Sequence, residues 1–431
     1  MPRRRILLLG DGDLAEETAE ALRAADADVV RFTDPSHEEL RDALGEGADA
    51  ALVVSNDDAW PLRIALLVRH IDPDVPIVAT IFDPETGREL EDLIGNCTIT
   101  SLADIVAPTL AGPCLRDDLC TVLDGDKPVG LRCRDGDVEV APLPEIRVRR
   151  VRAVASSIAQ PFDRSAALVF FGSIGLVTIL IAETVSAALV LEQNIVDSFY
   201  GAVKTLVTVD PNPAVQNGPK WFKVTISASM LIALLFAAAF TGGLVERLIG
   251  RRLTGLVGRR AVPRSDHVVV IGLGQVGLRL AMLLRQCDVP VVAVDHHEEG
   301  ENVGHAREWG LPVVIGRGAD PSLLRRLSLD RAIALAAVTN DDLQNIAVSL
   351  AARAIAPDLR LVLRAGANAA AGETRSLEPL GRIRDVHRIG AAYLAGLALG
   401  SAATHIVLED GTAHLRDDGG SLERCPYPIA G

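Results

Sequence analysis

The chain has 431 residues, enough for two or three domains. Apolar residues make up 49% of it and the mean hydropathy is +0.26, yet the formal net charge is −14. That acidic balance argues against a nucleic-acid partner, and the apolar excess points to a membrane insert joined to acidic globular parts. Six cysteines (97, 114, 120, 133, 287 and 425) form no CxxC pair, so free thiols are expected rather than a metal site.

The N-terminus starts Met1-Pro-Arg-Arg-Arg, and Ile6–Leu9 then runs straight into Gly10-Asp-Gly12. This apolar stretch is too short for a signal-peptide core and reads as the first strand of a cytosolic domain. It opens a weak dinucleotide pattern: strand, Gly10-Asp-Gly12-Asp-Leu-Ala15, then a second strand ending at Asp34. Asp11 and Asp13 would repel a phosphate from this turn, so dimerisation or scaffolding is the plainer expectation for this half.

Two long apolar runs follow, Ala166–Leu191 and Val224–Val245. Each meets the roughly 20 residues a helix needs to cross a bilayer. Arg147, Arg149, Arg150, Arg152 and Arg164 precede the first run, and Arg247, Arg251, Arg252, Arg259 and Arg260 follow the second. The loop between carries only Lys204, Lys220 and Lys223. The positive-inside rule then places both termini in the cytoplasm of a multi-pass protein of the cell membrane. Phe199, Tyr200, Trp221 and Phe222 fall near the outer boundary, where aromatic rings favour the interface. Glu183 sits inside the first run, as a functional group or near the outer interface. Gly242-Gly243 reads as a helix-packing point more readily than a hinge. Glu246–Arg260 is a basic, helical linker.

After the membrane region, His267-Val-Val-Val-Ile-Gly272-Leu-Gly274-Gln-Val-Gly277 leads into an apolar helix and then Val291-Val-Ala-Val-Asp295. Strand, glycine turn, helix, strand and acid stand in the order of a dinucleotide site. Gly272 permits the tight turn, Gly274 lets backbone approach a pyrophosphate, Gly277 allows close helix–strand packing, and Asp295 can accept from ribose hydroxyls. The two halves repeat one another without gaps over their later parts. Ser55-Asn56-Asp57-Asp58 matches Thr339-Asn340-Asp341-Asp342, Arg69 matches Arg353, Pro73-Asp74 matches Pro357-Asp358, and Leu110-Ala111-Gly112 matches Leu394-Ala395-Gly396. The first copy is shorter between Asp34 and Asn56, as if one helix–strand unit were missing.

The segments VVVIGLGQVGLRLA, VVAVD, VVIGRGADPSLLRRLSLDRA and VTNDDLQNIAVSLAARAIAPDLRLVLRA resemble RCK (TrkA-N) domains, regulators of K+ conductance. The resemblance implies tandem α/β Rossmann-like RCK domains, the first degenerate, flanking a two-helix transmembrane hairpin with a pore-helix-like loop. The expected boundaries are 1–145 for the degenerate domain, 146–165 for a basic linker, 166–245 for the pore-like region, 246–263 for a second linker, and 264–431 for the nucleotide-binding domain with a C-terminal extension. It further implies cytosolic rings that bind NAD(H), ATP/ADP or cations and gate a linked pore. Gly272, Gly274, Gly277 and Asp295 would hold nucleotide, the Thr339–Asn340–Asp341 turn would line the site, and Arg364 would meet a phosphate. Family members commonly have Gly-Asp-Ala after the third strand; here Gly316-Arg317-Gly318 stands, and Arg317 would suit an extra phosphate.

The hairpin itself resembles the pore unit of potassium channels. Phe199–Val209 follows the pattern of a pore helix running into a filter, but Asp210-Pro211-Asn212-Pro213 replaces the usual Gly-Tyr-Gly. Proline cannot take the glycine conformations that point successive carbonyls at an ion. Two readings stay open. In a homotetramer, Asp210 could form a carboxylate ring that draws cations, with Thr208 and Val209 carbonyls completing a site; the plant CASTOR/POLLUX channels are similar in joining a non-standard filter to RCK-like domains. Alternatively Asp210-Pro-Asn-Pro is an ordinary turn, and the chain is a membrane-anchored, non-conducting nucleotide sensor regulating potassium transport. An NAD-dependent oxidoreductase is the third option, disfavoured because the chain has no separate substrate domain and no placed catalytic residue.

Overall fold

The computed structural model describes residues 3–123, 128–134, 137–144, 164–207, 215–216, 218–249, 262–263, 265–366, 378–409, 412–425 and 427. The chain divides into an α/β unit, Met1–Val148 with Pro263–Gly431, and a helical unit, Arg149–Val262.

The first copy runs β1 (Arg5–Gly10), α1 (Gly12–Ala24), β2 (Asp28–Phe32), α2 (His37–Gly45), β3 (Ala50–Val54), α3 (Ala59–Ile71), β4 (Ile77–Thr80), α4 (Pro84–Ile94), β5 (Cys97–Thr100) and α5 (Leu102–Leu115). Its sheet has the order β2-β1-β3-β4-β5, all parallel. Apolar β1 and β3 are buried on both faces, as parallel strands between helix layers must be. Helix starts are set by caps: Ser36 and Glu39 form a capping box, and Asp83 accepts from the Thr86 N–H with Pro84 in the first turn. Three short antiparallel strands follow, β6 (Thr121–Leu123), β7 (Val129–Arg134) and β8 (Asp137–Ala141).

The helical unit holds α6 (Arg164–Val190), α7 (Ile195–Leu206) and α8 (Lys220–Ile249). Residues Leu168–Val190 and Lys220–Val245 are long and apolar enough to cross a membrane. The close approach of α6 to α8 is made at Gly172 and Gly175, where an added methyl would strike the backbone of Phe236 and Phe240 and the Phe236 ring. Of the expected packing pair, Gly242 has nothing within 4 Å of its Cβ position, while Gly243 is buried. Glu183 is buried and accepts a hydrogen bond from Ser229 across the hairpin. Between the two long helices, α7 is capped by Asn194 and buries the small side chains Ser198, Ala202 and Thr205. Thr208, Val209 and Asp210, with Pro211–Pro213, lie outside the described residues, as does most of the linker that follows α8.

The second copy runs β9 (Val268–Ile271), α9 (Gln275–Gln286), β10 (Val291–Asp295), α10 (Glu301–Glu308), β11 (Val313–Ile315), α11 (Pro321–Arg326), β12 (Ala334–Ala337), α12 (Asp342–Ile355), β13 (Arg360–Ala365), β14 (Arg382–Asp385) and α13 (Val386–Ala398). The sheet order β11-β10-β9-β12-β13-β14 is the doubly wound arrangement, with a switch point between β9 and β12. The first copy has only α2 where the second has α10, β11 and α11, which accounts for its shorter sequence. A second three-stranded sheet, β15 (His405–Glu409), β16 (Thr412–Arg416) and β17 (Leu422–Arg424), follows α13 as β6–β8 follow α5. The part expected to be an extension is therefore itself half of the repeat.

The copies pack by exchanging equivalent helices: α1 lies on α13 and α9 on α5, the self-complementary pattern of a two-fold pair. A methyl at Gly390 of α13 would come within 2.6 Å of Leu102 and 2.9 Å of Leu14, so glycine permits this approach. Helix α5 is buried almost throughout although it contains Pro108 and Pro113. Pro113 has no N–H for the Thr109 carbonyl; Arg384 of the second copy donates to that oxygen through Nε at 3.3 Å. Arg360 likewise donates to the carbonyl of Leu115 at the helix end. Arg279 Nε meets Asp104 at 2.6 Å.

At the α1–α13 contact, Asp385 caps α13 by accepting from the Arg388 N–H at 3.1 Å, while Tyr427 donates to Glu17. Burial pushes the Asp385 carboxyl up to about 6, against the Arg388 backbone and side chain, which favour its charge. An acid raised in the fold stays protonated there while the unfolded chain has already ionised. Stability is therefore expected to fall as pH rises from about 4 to about 6, by on the order of 2 kcal/mol. Asp385→Asn keeps a capping oxygen and removes the ionisation. Denaturant unfolding of the two proteins across pH 4–8 should show this decline in the wild type and a flatter profile in the variant.

Candidate functional site

Residues singled out in the second copy converge at the C-terminal ends of β9, β10, β12 and β13. Gly272, just after β9, has φ +98°, and its Cβ position lies 2.9 Å from Thr339, so the turn presses directly on the β12 end. Gly277 abuts the Gly272 carbonyl so closely that any side chain would collide with it. Gly274 differs. It caps α9 with φ −72° and ψ −175°, open to any residue, and its Cβ position meets nothing nearer than Asn340 Oδ1 at 4.0 Å. Gly272 and Gly277 are demanded by the fold, whereas Gly274 keeps clear the space before the N–H groups of α9, where an anion is favoured.

Asp295 ends β10 and binds the glycine turn itself, accepting from Leu273 N–H at 2.7 Å and from His297 N–H at 2.9 Å. Two such bonds leave a carboxylate with further acceptor capacity. Thr339 is held by Asn345, whose Oδ1 accepts from Thr339 N at 2.9 Å and Oγ1 at 2.8 Å. The Asn345 amide donates to the carbonyls of Thr339 at 3.0 Å and Arg364 at 3.1 Å, tying β12 to β13. Asn345 was not anticipated; it is buried in the first turn of α12, one of the few places where a buried amide finds both donors and acceptors. Asp341 turns to the helix rather than the crevice, capping α12 through Leu343 N at 2.9 Å and Gln344 N at 3.2 Å. Arg364 donates to Asn340 Oδ1. Burial pushes its guanidinium below the usual arginine range, opposed by Asp342. Asp342 accepts from Gly366 N at 2.9 Å. Arg317 is exposed after β11, in a loop that Gly318 seats against Ile271.

The first copy keeps the frame but not the residues singled out in the second. Asp58 accepts from Phe82 N at 2.8 Å, as Asp342 does from Gly366. Thr80 stands where Arg364 does and exchanges 2.9 Å bonds with the backbone of Ser55. Buried Ala15 replaces Gly277. Strand register also corrects the place of Asp34. Phe32 pairs with Leu9 as Val294 pairs with Ile271, so Thr33 is the counterpart of Asp295. Asp34 lies one residue further on and accepts from Trp60 at 3.2 Å and Arg63 at 3.3 Å.

Two segments, residues 13–101 and 268–378, one in each copy of the α/β unit, match the TrkA-N domain family. Potassium channel protein 1 of Methanocaldococcus jannaschii is 23% identical over 201 residues, 45% of this chain and 60% of that protein. The voltage-gated potassium channel Kch of Escherichia coli is 24% identical over 210 residues, 46% of this chain and 50% of the relative. The chain thus spans little more than half the length of these relatives. Among solved structures, the GsuK channel covers 92% of this chain with a TM-score of 0.52 at 18% identity, over 64% of its own length. The same channel bound to NAD gives 0.51 at 18% identity, with the same coverage. These structures establish a shared fold.

The contrast among the glycines is measurable in stability. Gly274→Ala is expected to leave the unfolding free energy within about 0.5 kcal/mol, whereas Gly277→Ala should lower it by about 2 kcal/mol or more through collision with the Gly272 carbonyl. Denaturant unfolding followed by circular dichroism compares them directly.

Proposed function

We propose that this chain is a subunit of a cation channel, potassium-channel-like with a non-standard filter, whose conduction is set by a nucleotide bound to its second TrkA-N domain. The observation that supports this most is the cleared, cation-flanked crevice of Gly274, Asp295 and Arg364 on a chain that also carries two membrane-length helices around the short helix α7. In this reading α6 and α8 cross the cell membrane, both termini are cytoplasmic, and α7 is a pore helix of a homotetramer. Thr208, Val209 and Asp210 form the ion path, with the Asp210 carboxylates drawing cations to its mouth. The ligand is NAD(H) or ATP/ADP: its phosphates take the α9 N-terminus and Arg364, and Asp295 accepts from the ribose while holding the turn. Thr339 and Asn340 line the crevice, and Asp341 supports it from the helix side. The relatives' names, potassium channels, and the NAD-bound neighbour fit this assignment. Gating requires the ligand to bind the open and closed states with different affinity.

Purified protein in liposomes should pass K+ or another small cation, and the flux should change about fivefold or more on adding the right nucleotide among NAD+, NADH, ATP and ADP. Absence of flux for every cation under every nucleotide condition would sink the proposal. Gly274→Ala should abolish the nucleotide response and weaken binding at least about tenfold while basal flux persists.

One sequence feature favours a second reading: Pro211 and Pro213 occupy positions where a potassium filter needs glycine-like backbone. A non-conducting regulatory subunit would bind nucleotide without flux. Asp210→Asn separates the two, since it should alter cation selectivity only where Asp210 lines a pore.

A further inference from the structure

Three cysteines of the first copy, Cys114, Cys120 and Cys133, gather around the side chain of Arg384 from the second. Arg384 is 7% exposed and donates to the carbonyls of Thr109 and Ile383, each at 3.3 Å. Burial and then Arg382 push its guanidinium down to about 10, and the three thiols act in the opposite direction. A buried cation is costly unless an anion or well-placed acceptors compensate it, and the anion these neighbours can supply is a thiolate.

Cys120 is the sulfur built for that charge. Its Sγ accepts the backbone N–H of Cys133 at 3.0 Å, and the Cys133 thiol is hydrogen-bonded to it. The Cys133 hydrogen bonds, aided by Arg384, draw the Cys120 thiol down, against burial and the Glu409 carboxylate of β15; the shared bond, burial and Glu409 push the Cys133 thiol up. One thiol is thus disposed to ionise while its neighbour keeps its proton, the division of labour of an attacking and a resolving cysteine. Both are partly exposed, whereas Cys114 is fully buried, with its thiol pushed up to about 12 by burial. The pair is thirteen residues apart in sequence, at the edge of the β6–β7 ladder that packs on β15 of the other copy.

We propose that Cys120 and Cys133 are a reversible redox-modification site that exchanges with small-molecule disulfides to close a Cys120–Cys133 bond. The Cys120 thiolate attacks one sulfur of a disulfide RSSR, forming the mixed disulfide Cys120–S–S–R and releasing RS−. RS− takes the Cys133 proton and leaves as RSH. The Cys133 thiolate then attacks the Cys120 sulfur, forming the protein disulfide and expelling the second R group as a thiolate, which takes up the proton that Cys120 gave to solvent. Two protein thiols are oxidised by two electrons, and RSSR is reduced to two RSH. The site is independent of the nucleotide crevice and of conduction.

The test uses the full-length purified protein equilibrated in glutathione buffers of graded GSH:GSSG ratio, acid-quenched, alkylated and analysed by peptide mass spectrometry. Cys120 and Cys133 should lose alkylation together, along a two-electron curve, with a 120–133 cross-linked peptide appearing in step. Cys133→Ser should halt at a glutathione adduct on Cys120. Cys120→Ser should slow glutathionylation of Cys133 about tenfold relative to Cys120 in the Cys133→Ser protein. Independent loss of the two labels, adducts on both without a cross-link, or full alkylation at the oxidising end would each overturn the assignment. In the wild type, the pH midpoint of Cys120 alkylation should lie below the roughly 8.5 of a free cysteine; a midpoint at or above that value would also overturn it.

Discussion

A missing N–H in a buried helix ties the two domains together. Pro113 leaves the Thr109 carbonyl of α5 without its helical donor, in a helix whose residues are almost all out of water. A buried carbonyl left unpaired costs about 1–3 kcal/mol, and Pro113 cannot supply the i+4 donor. Arg384 of the second copy does, and Arg360 serves the last turn of the same helix. Separated copies would expose the apolar faces of α5 and α13 and leave these acceptors to water. The pairing is therefore part of the folding of each copy. It also explains why a guanidinium is buried at all: it satisfies a backbone defect, and its charge then shapes the chemistry of the thiols around it.

The second nucleotide fold was legible because its signals are local. A strand, a glycine turn, a helix and an acid lie within one short stretch, and Asp295 marks where β10 ends. The missing helix–strand unit of the first copy was equally legible, since an ungapped repeat resumes after it. What failed depended on contacts distant in sequence or on register. Asp34 was read as the end of the second strand, but β2 ends at Phe32, and parallel pairing with β1 puts Thr33 in the place of Asp295. Gly172 and Gly175, which face the aromatic residues of the close approach, did not stand out, because nothing local marks which glycines meet the partner helix. The strands β15–β17 were invisible because three to five residues carry too little alternation to stand out.

The two copies separate residues that hold a Rossmann-like frame from residues the frame does not need. The Asp58–Phe82 and Asp342–Gly366 bonds are the same strut in both, and Thr80 in one does for Ser55 what Asn345 in the other does for Thr339. Gly274 answers to no steric demand of its own chain, and Arg364 buries a charge whose direct side-chain partner is a neutral amide. Features that cost stability without serving the fold are the ones expected at a functional site.

The crevice residues also reach the domain boundary. His387, in the first turn of α13, lies beside Gly366, whose Cβ position is 3.8 Å from the ring. Its Nδ1 lies 3.9 Å from Asp13 of the first copy. Burial first, and then Arg364, push the imidazole below its usual value, while Asp13, Asp342 and Glu17 oppose them. One half-sequestered ring thus senses the guanidinium at the crevice and the acidic start of α1 together. A titratable ring of the α1–α13 contact therefore lies in the field of Arg364 as well as of Asp13.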